Sequence, residues 1–542
     1  MSALGARRRE RRGSRPLPSP SLTVAAVLVA AAVSLPLVYL VVRAASGGEA
    51  AWSVLLRPQT AEVLGRTIGL VAVVTVAATA IGGSLAWLME RSDLPLRRFW
   101  AVAAALPLAV PSYVAALALL ATAGPGGALS EALPGEGRLL DITGFPGAAL
   151  ALTLSTYPYV YLLGAAALRR ADPALEEAAR GLGRSPFAVL REVTLPLVRP
   201  ALGAGALLAA LYALSDFGVV SLMRLDVLTR VIFQQYRTLF DRTPAAVLGL
   251  LLVVLTVVVL ILEARARGRA APRAAPTAAR PVPPVALGRW RAAAVAFCAL
   301  VVGLALVLPV GVLTYWIARG GSAGAGLGAG ILAPALGSLG VSTVAGVAAV
   351  LAALPVALLV VRTPRPWTRA LERLSYGANA LPGVVVALAL VFFAARYLGA
   401  LYQTLALLMF AYVVRFLPQA LAGARTALAG VNPRLEEAAR ALGRGPRSAF
   451  AAVTVPLAAP GLLAGATIVF LSTMKELPVT LLLRPIGFET LATEVWSATS
   501  VSAYSRAAPA ALLLVAVAAP IVLRLVVRRD GARAEAEALG AG

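Results

Sequence analysis

Long apolar runs separated by short polar, arginine-bearing stretches set the pattern of this chain. The first run, Ser21 to Val42, has the roughly 20 residues that an α-helix needs to cross a bilayer. Five more follow near Leu64–Trp87, Phe99–Ala121, Pro146–Leu168, Leu197–Leu222 and Pro244–Leu262. Six others lie near Ala292–Ile317, Leu336–Val361, Leu374–Ala395, Leu401–Leu421, Leu457–Leu482 and Ala507–Val527. A lipid-exposed backbone must satisfy its hydrogen bonds within each segment, so such runs predict helices. The expected fold is an all-α polytopic membrane protein with about 12 transmembrane helices.

Two polar islands interrupt this pattern, and they are copies of one another. Asp172 to Pro196, DPALEEAARGLGRSPFAVLREVTLP, returns as NPRLEEAARALGRGPRSAFAAVTVP from Asn432 to Pro456, 260 residues later and without a gap. Asp172 or Asn432 is a good N-cap, and Pro173 or Pro433 suits the first helical position, where an N–H is not needed. Gly183 or Gly443 suits the left-handed conformation that ends helices. Pro186 or Pro446 can open a second short helix, which Pro196 or Pro456 is expected to close. One polar helix–Gly–helix used twice suggests two equivalent docking surfaces. The halves resemble each other elsewhere too: Arg91-Ser92 pairs with Arg362-Thr363, and Leu106-Pro107 with Leu381-Pro382. Two six-helix parallel repeats imply a pseudo-two-fold axis along the membrane normal, with a pathway between them.

These patterns divide the chain into a basic tail (1–20), a first half (21–263), a Pro/Ala/Arg linker (264–291), a second half (292–528) and a tail (529–542). A signal peptide is the other reading of the basic start, but the apolar run behind it is longer than a signal core and lacks a convincing cleavage site. The chain is 60% hydrophobic, with a formal charge of +24. That charge lies mainly in short loops between spans, the positive-inside pattern, and argues against nucleic acid as a partner. It sets the N- and C-termini, both polar islands and the linker on the cytoplasmic side. The outer loop from Ala123 to Phe145 is acidic, whereas the loop from Arg224 to Arg242, with four arginines against two aspartates, departs from the rule.

Histidine is absent, the only cysteine is Cys298 and the only lysine is Lys475. No disulfide, histidine-based metal site or catalytic triad is available, and no dedicated metal site is expected. Met474 before Lys475 rules out a G-x-x-x-x-G-K-[ST] phosphate loop, so no ATP is expected to bind in this chain.

Glu177-Ala178-Ala179, Gly183 and Val193-Thr194-Leu195-Pro196 resemble the EAA loop of permease subunits of type I ABC importers, as do Glu437-Ala438-Ala439, Gly443 and Val453-Thr454-Val455-Pro456. The resemblance implies a non-enzymatic permease in the bacterial cell membrane, coupled to two copies of a cytoplasmic ABC ATPase and fed by an extracytoplasmic solute-binding protein. ATP would be bound by the partner. Glu177 and Glu437 would contact the ATPase, with Gly183 and Gly443 supplying the turns. Lys475 to Pro485, KELPVTLLLRP, and Glu489 to Thr493 resemble fused ferric iron permeases, with Asp216-Phe217-Gly218 in the equivalent place of the first half. Ferric iron is the substrate that this likeness implies; thiamine, a polyamine or an oxyanion is the alternative within the class.

Charges in or near a span are costly and invite a functional reading. Asp216, Lys475 and Glu476 are candidates for the translocation pathway or its gate, against the plainer reading in which they pair with one another or snorkel. Tyr157, Tyr159 and Tyr161 are read as interfacial anchors rather than cation ligands. A secondary transporter driven by an ion gradient is the rival from another class; the scarcity of buried acids and the lack of histidine argue against it.

Overall fold

The computed structural model describes residues 19–124, 127–128, 142–238, 243–267, 284–320, 329–377 and 381–539. The tail 1–18 and most of the expected linker and of the acidic outer loop lie outside these residues. Among the described residues the secondary structure is helical, apart from an isolated parallel bridge between Ser92 and Val285.

The first half runs through α1 (Pro20–Ala45), α2 (Pro58–Arg91), α3 (Arg97–Ala105), α4 (Ser112–Ala123), α5 (Gly144–Arg170), α6 (Pro173–Gly181), α7 (Pro186–Ser215), α8 (Gly218–Leu222), α9 (Leu228–Thr238) and α10 (Thr243–Arg267). The second half repeats the plan with α11 (Arg291–Arg319), α12 (Ala329–Arg362), α13 (Pro366–Gly377), α14 (Gly383–Tyr397), α15 (Leu405–Ala429), α16 (Pro433–Ala441), α17 (Pro446–Met474), α18 (Pro478–Leu483), α19 (Leu491–Ser500) and α20 (Tyr504–Leu539). Ten of these are long and apolar enough to cross a membrane, one bent pair would make an eleventh span, and α14 is a shorter apolar helix. The protein is an all-α, multi-pass membrane protein.

The bent pair is α3 and α4, which meet at 96° where one straight span near Phe99–Ala121 was expected. Proline explains the break. Val110, before Pro111, adopts the extended ψ of 118° that a following proline favours, and Pro111 itself has ψ 145° before α4 begins. Pro382 repeats this with ψ 146° ahead of α14. The repeat therefore pairs Pro111 with Pro382, not Leu106-Pro107 with Leu381-Pro382. The offset is 271, the same as between Arg91 and Arg362. The expected span near Leu374–Ala395 likewise starts late, because Leu374 belongs to the amphipathic α13.

Pro196 and Pro456 do not close the polar units. A π-helical turn at Leu190–Thr194, and again at Phe450–Thr454, carries α7 and α17 past them without interruption. The wider turn eases the clash between a proline ring and the carbonyl one turn back, so the helix continues.

The compact units cut across the sequence halves: one comprises 1–42 and 338–487, the other 43–337 and 488–542. In the first unit, α1 lies against second-half elements, its Tyr39 ring meeting Phe393 and Tyr397 edge-on. In the second unit, α11 packs on the core of the first half. Cys298, Val301, Val302 and Ala305 join a buried cluster with Leu85, Ala86 and Tyr157. Trp316 donates its indole N–H to the Ala121 carbonyl at 3.1 Å.

Small residues allow close helix contact in this second unit. A Cβ added at Gly82 of α2 would lie 2.6 Å from the Tyr157 carbonyl oxygen of α5, whereas one at the adjacent Gly83 would meet only Leu202 side-chain atoms, at 3.8 Å or more. Gly82→Ala is expected to lower stability by about 1–3 kcal/mol through overpacking. Gly83→Ala should be neutral or slightly stabilising, through better helix propensity. Thermal unfolding of the two purified variants checks the contrast.

Candidate functional site

Each polar island folds as its capping residues dictate. The Asp172 side chain accepts the Ala174 N–H at 3.0 Å, and that of Asn432 the Arg434 N–H at 3.1 Å. At the far end of α6, Gly183 has φ +80°. Its N–H reaches Arg180 O, and the Arg184 N–H reaches Ala179 O. Gly443, at φ +89°, makes the same pair of bonds to Arg440 and Ala439. This double bond pattern around a left-handed residue is the Schellman helix end, and it turns the chain from α6 into α7 and from α16 into α17.

The expected contact residues Glu177, Ala178, Glu437 and Ala438 are exposed, with Ala179 and Ala439 half-buried beside them. Two apolar neighbours share this surface. Leu182 is 84% exposed and Leu442 87%, each at the tip of its turn. Leu175 and Leu435, on the same helices, are 52% and 49% exposed, so both segments present matching apolar positions. These leucines were legible as part of the repeat but carried no charge to draw notice.

The glutamate one residue earlier behaves in the opposite way. Glu176 is 2% exposed and accepts Arg91 Nε and Thr194 Oγ1, both at 3.1 Å. Arg91 also donates through Nη2 to the Leu168 carbonyl at 2.8 Å. One ion pair thus joins the ends of α2 and α5 to α6 and to the π-turn of α7. In the second half Glu436 accepts Arg362 Nη2 at 2.6 Å and Thr454 Oγ1 at 2.8 Å. That pair is more open, with Arg362 45% exposed and its guanidinium 5.3 Å from the Phe450 ring centroid. Glu176 and Glu436 are the residues that motif reading missed. The repeated Arg91 and Arg362 were the available signal.

The last residues of the expected linker, 284–291, are held against this corner rather than free. Val285 N–H donates to Arg91 O at 2.8 Å and Asp93 N–H to Val285 O at 3.1 Å. The Asp93 carboxylate accepts Leu287 N–H at 2.8 Å and an Arg291 N–H at 2.5 Å. The Leu287 N–H, and after it Arg291, hold the Asp93 carboxyl below its ordinary pKa of 3.8. A depressed folded-state pKa means that the contact contributes above 3.8 and is lost as pH falls through the lower folded value.

At the other end of α7, Asp216 accepts Ser112 Oγ at 2.6 Å and Val219 N–H at 2.8 Å. It therefore ties the break between α7 and α8 to the first residue of α4. Glu476 does the equivalent after α17. It accepts Val479 N–H at 3.3 Å and Arg415 Nε at 3.1 Å, while Arg415 Nη1 reaches the Leu381 carbonyl at 3.0 Å. The offset of 260 between Asp216 and Glu476 is thus matched in structure. Glu476 thus pairs with Arg415, and Asp216 accepts from Ser112. Lys475 caps the end of α17 and is half-buried. Tyr157 and Tyr161 are core residues of α5 at 0% and 3% exposure, not interfacial anchors. In the loop that departs from the charge rule, Arg230 pairs with Asp226, and Arg237 lies over the Phe233 ring.

Two repeated sets of membrane helices, each with an exposed helix–Gly–helix on one side and a carboxylate-held helix break on the other, define a membrane transport subunit. The chain belongs to the family of binding-protein-dependent transport system inner membrane components, whose sequence model matches residues 78–269 and again 345–529. It is similar to the Fe(3+)-transport system permease protein FbpB 2 of Haemophilus influenzae, 32% identical over 499 residues, covering 91% of this chain and 95% of that protein. It is also similar to the sulfate transport system permease protein CysW of Escherichia coli K12, 29% identical over 239 residues (42% of this chain, 82% of that protein). A third relative is the sulfate transport system permease protein CysT of Salmonella typhimurium, 30% identical over 169 residues (31% and 61%).

Neighbouring glutamates give a sharp test of the geometry. Glu176→Gln leaves the buried Arg91 without its counter-charge and is expected to cost about 3–5 kcal/mol, whereas Glu177→Gln on the exposed face should stay within about 0.5 kcal/mol. Thermal unfolding of both variants distinguishes the two roles. For Asp93, hydrogen-exchange protection at Val285 and Leu287 should be alike at about pH 8 and about pH 5 and fall in Asp93→Asn at neutral pH.

Proposed function

We propose that this chain is the permease of an ATP-driven importer that moves ferric iron into the cytoplasm after delivery by an external binding protein. The observation that carries the substrate is the 32% identity to a Fe(3+)-transport permease along 95% of that protein's length. The likeness to sulfate permeases covers less than half of this chain. In this reading iron is cargo, passing through oxygen contacts or still held by a chelating anion.

In this reading the membrane is the bacterial cytoplasmic membrane, with both termini and both EAA segments inside. Two copies of a separate ATPase take up the segments, one each. Glu177 with Leu182, and Glu437 with Leu442, face the ATPase, and Gly183 and Gly443 hold the turns that present them. Closure of the ATPase dimer on ATP pulls on α6 and α16. Glu176 and Glu436 pass that displacement to α2 and α12 through Arg91 and Arg362, and to α7 and α17 through Thr194 and Thr454.

Asp216 and Glu476 each lie 22 residues beyond those threonines, about 33 Å along a helix and so about one hydrocarbon thickness away. There they work as the outer gate: moving α7 or α17 shifts the carboxylate that holds the start of α4 or α14. Lys475 sits beside that gate.

The test is ATP-dependent uptake of labelled ferric iron into vesicles holding this chain, its ATPase and its binding protein. Uptake of iron but not of thiamine, putrescine or sulfate is the expected result. ATP-driven uptake of another solute discards iron, and uptake driven by an ion gradient without ATP discards the importer. Replacing Glu177 and Glu437 together by Arg should leave the protein folded but abolish ATP-driven uptake. Asp216→Asn and Glu476→Gln should impair uptake while the ATPase still assembles, and wild-type rates in both would remove them from the gate.

A further inference from the structure

A groove of about 880 Å³ opens in the second compact unit between α2, α7 and the start of α11. Thr79, Gly83 and Leu88 line it from α2, Leu190 and Leu202 from α7, and Phe297 from α11. Its mouth is open: Phe187 and Trp290, both on its wall, are 71% and 64% exposed. Three of the wall's hydroxyl oxygens have partners within the chain. The Thr79 hydroxyl donates to Thr75 O, the Thr194 hydroxyl donates to Glu176, and Ser185 Oγ accepts the Ala188 N–H. The rest of the wall is mostly apolar, so the groove suits an apolar occupant.

Depth and charge identify it. Thr79 and Leu88 are nine residues apart, about 13 Å along the helix, close to one leaflet of a hydrocarbon core about 30 Å thick. Trp87 and Trp290 lie on the wall at the Leu88 end, the level at which indoles mark a membrane interface. Exposed Arg184, Arg191 and Arg289 are each next in sequence to a wall residue at that same end. Acids also lie there: Glu192 is 3.7 Å from Arg184, while Asp93 and Glu176 are held by Arg291 and Arg91. The Arg289 guanidinium lies 5.7 Å from the Trp290 ring centroid.

We propose that this groove binds one acyl chain of an anionic phospholipid from the leaflet on the arginine-rich side, with the headgroup phosphate among Arg184, Arg191 and Arg289. That leaflet is the cytoplasmic one in the orientation proposed above, but the groove and its occupant do not depend on which solute is carried. The chain wedges between α2 and α7, the helices that the Arg91–Glu176–Thr194 contacts join. The lipid thus sits directly behind the segment that follows the Gly183 turn.

The probe is phosphatidylglycerol with a photoreactive diazirine midway along one acyl chain, incorporated into vesicles holding the full-length protein. Labelled peptides should concentrate in 79–88, 190–202 and 285–297; labelling spread evenly over other lipid-facing helices, such as α1 and α10, overturns the proposal. Gly83→Phe projects a ring into the groove without meeting backbone, because a Cβ there contacts only Leu202. It should cut labelling of these peptides roughly tenfold, the effect on affinity of losing about two buried methylenes. Gly65→Phe, on the same helix at a position open on all sides, should leave labelling unchanged. Undiminished labelling in a folded Gly83→Phe protein contradicts the site. Equal competition by unlabelled phosphatidylcholine and phosphatidylglycerol contradicts the headgroup assignment. Labelling of the wild-type protein maps the site even if Gly83→Phe fails to fold.

Discussion

A buried carboxylate–guanidinium contact, Glu176 with Arg91, is the interaction on which the arrangement of this protein turns. It joins four chain segments at one point: the end of α2, the end of α5 through the Leu168 carbonyl, the polar helix α6 and the π-turn of α7. A buried ion pair contributes little net stability over an apolar equivalent, but losing either partner is expensive. That asymmetry suits a joint whose work is to keep helix ends in register. The second half reuses it with Glu436, Arg362 and Thr454 in a more solvent-open setting. In the first half the joint is also covered by residues 285–287, which bridge to the corner at Arg91, Ser92 and Asp93. The two polar segments are therefore alike in sequence and unlike in how firmly they are held.

Proline and glycine set the geometry around these joints. Pro111 and Pro382, with ψ 145° and 146°, directly precede the helices that Asp216 and Arg415 hold. Pro196 and Pro456 sit inside continuous helices, each shortly after a π-turn, and Pro158 and Pro418 lie inside α5 and α15 without one. The same residue type breaks one element and is absorbed in another.

Much of this was legible in the sequence. Apolar runs of bilayer length marked the spans, and the caps Asp172, Asn432, Gly183 and Gly443 marked the polar helices, because capping depends on neighbours within a few residues. The repeat register also put Asp216 opposite Glu476. What was not legible depended on distant contacts. Motif reading singled out Glu177 and passed over Glu176, since nothing in adjacent residues says which of two glutamates faces Arg91, 85 positions earlier. The bend between α3 and α4 was hidden because hydropathy reports burial in lipid and not direction. Tyr157 and Tyr161 looked interfacial, yet a chain whose first spans pack on the other half's core covers faces that a span read alone would leave to lipid.

The central question is whether the Arg91–Glu176 contact acts as one joint. The most direct measurement is a double-mutant cycle of Arg91→Met and Glu176→Gln, read as ATP-driven uptake by the reconstituted importer with folding followed in parallel. If the two residues form one joint, each single variant loses uptake and the double variant is no worse than either single one. Losses that multiply in the double variant would show two independent residues and contradict the account.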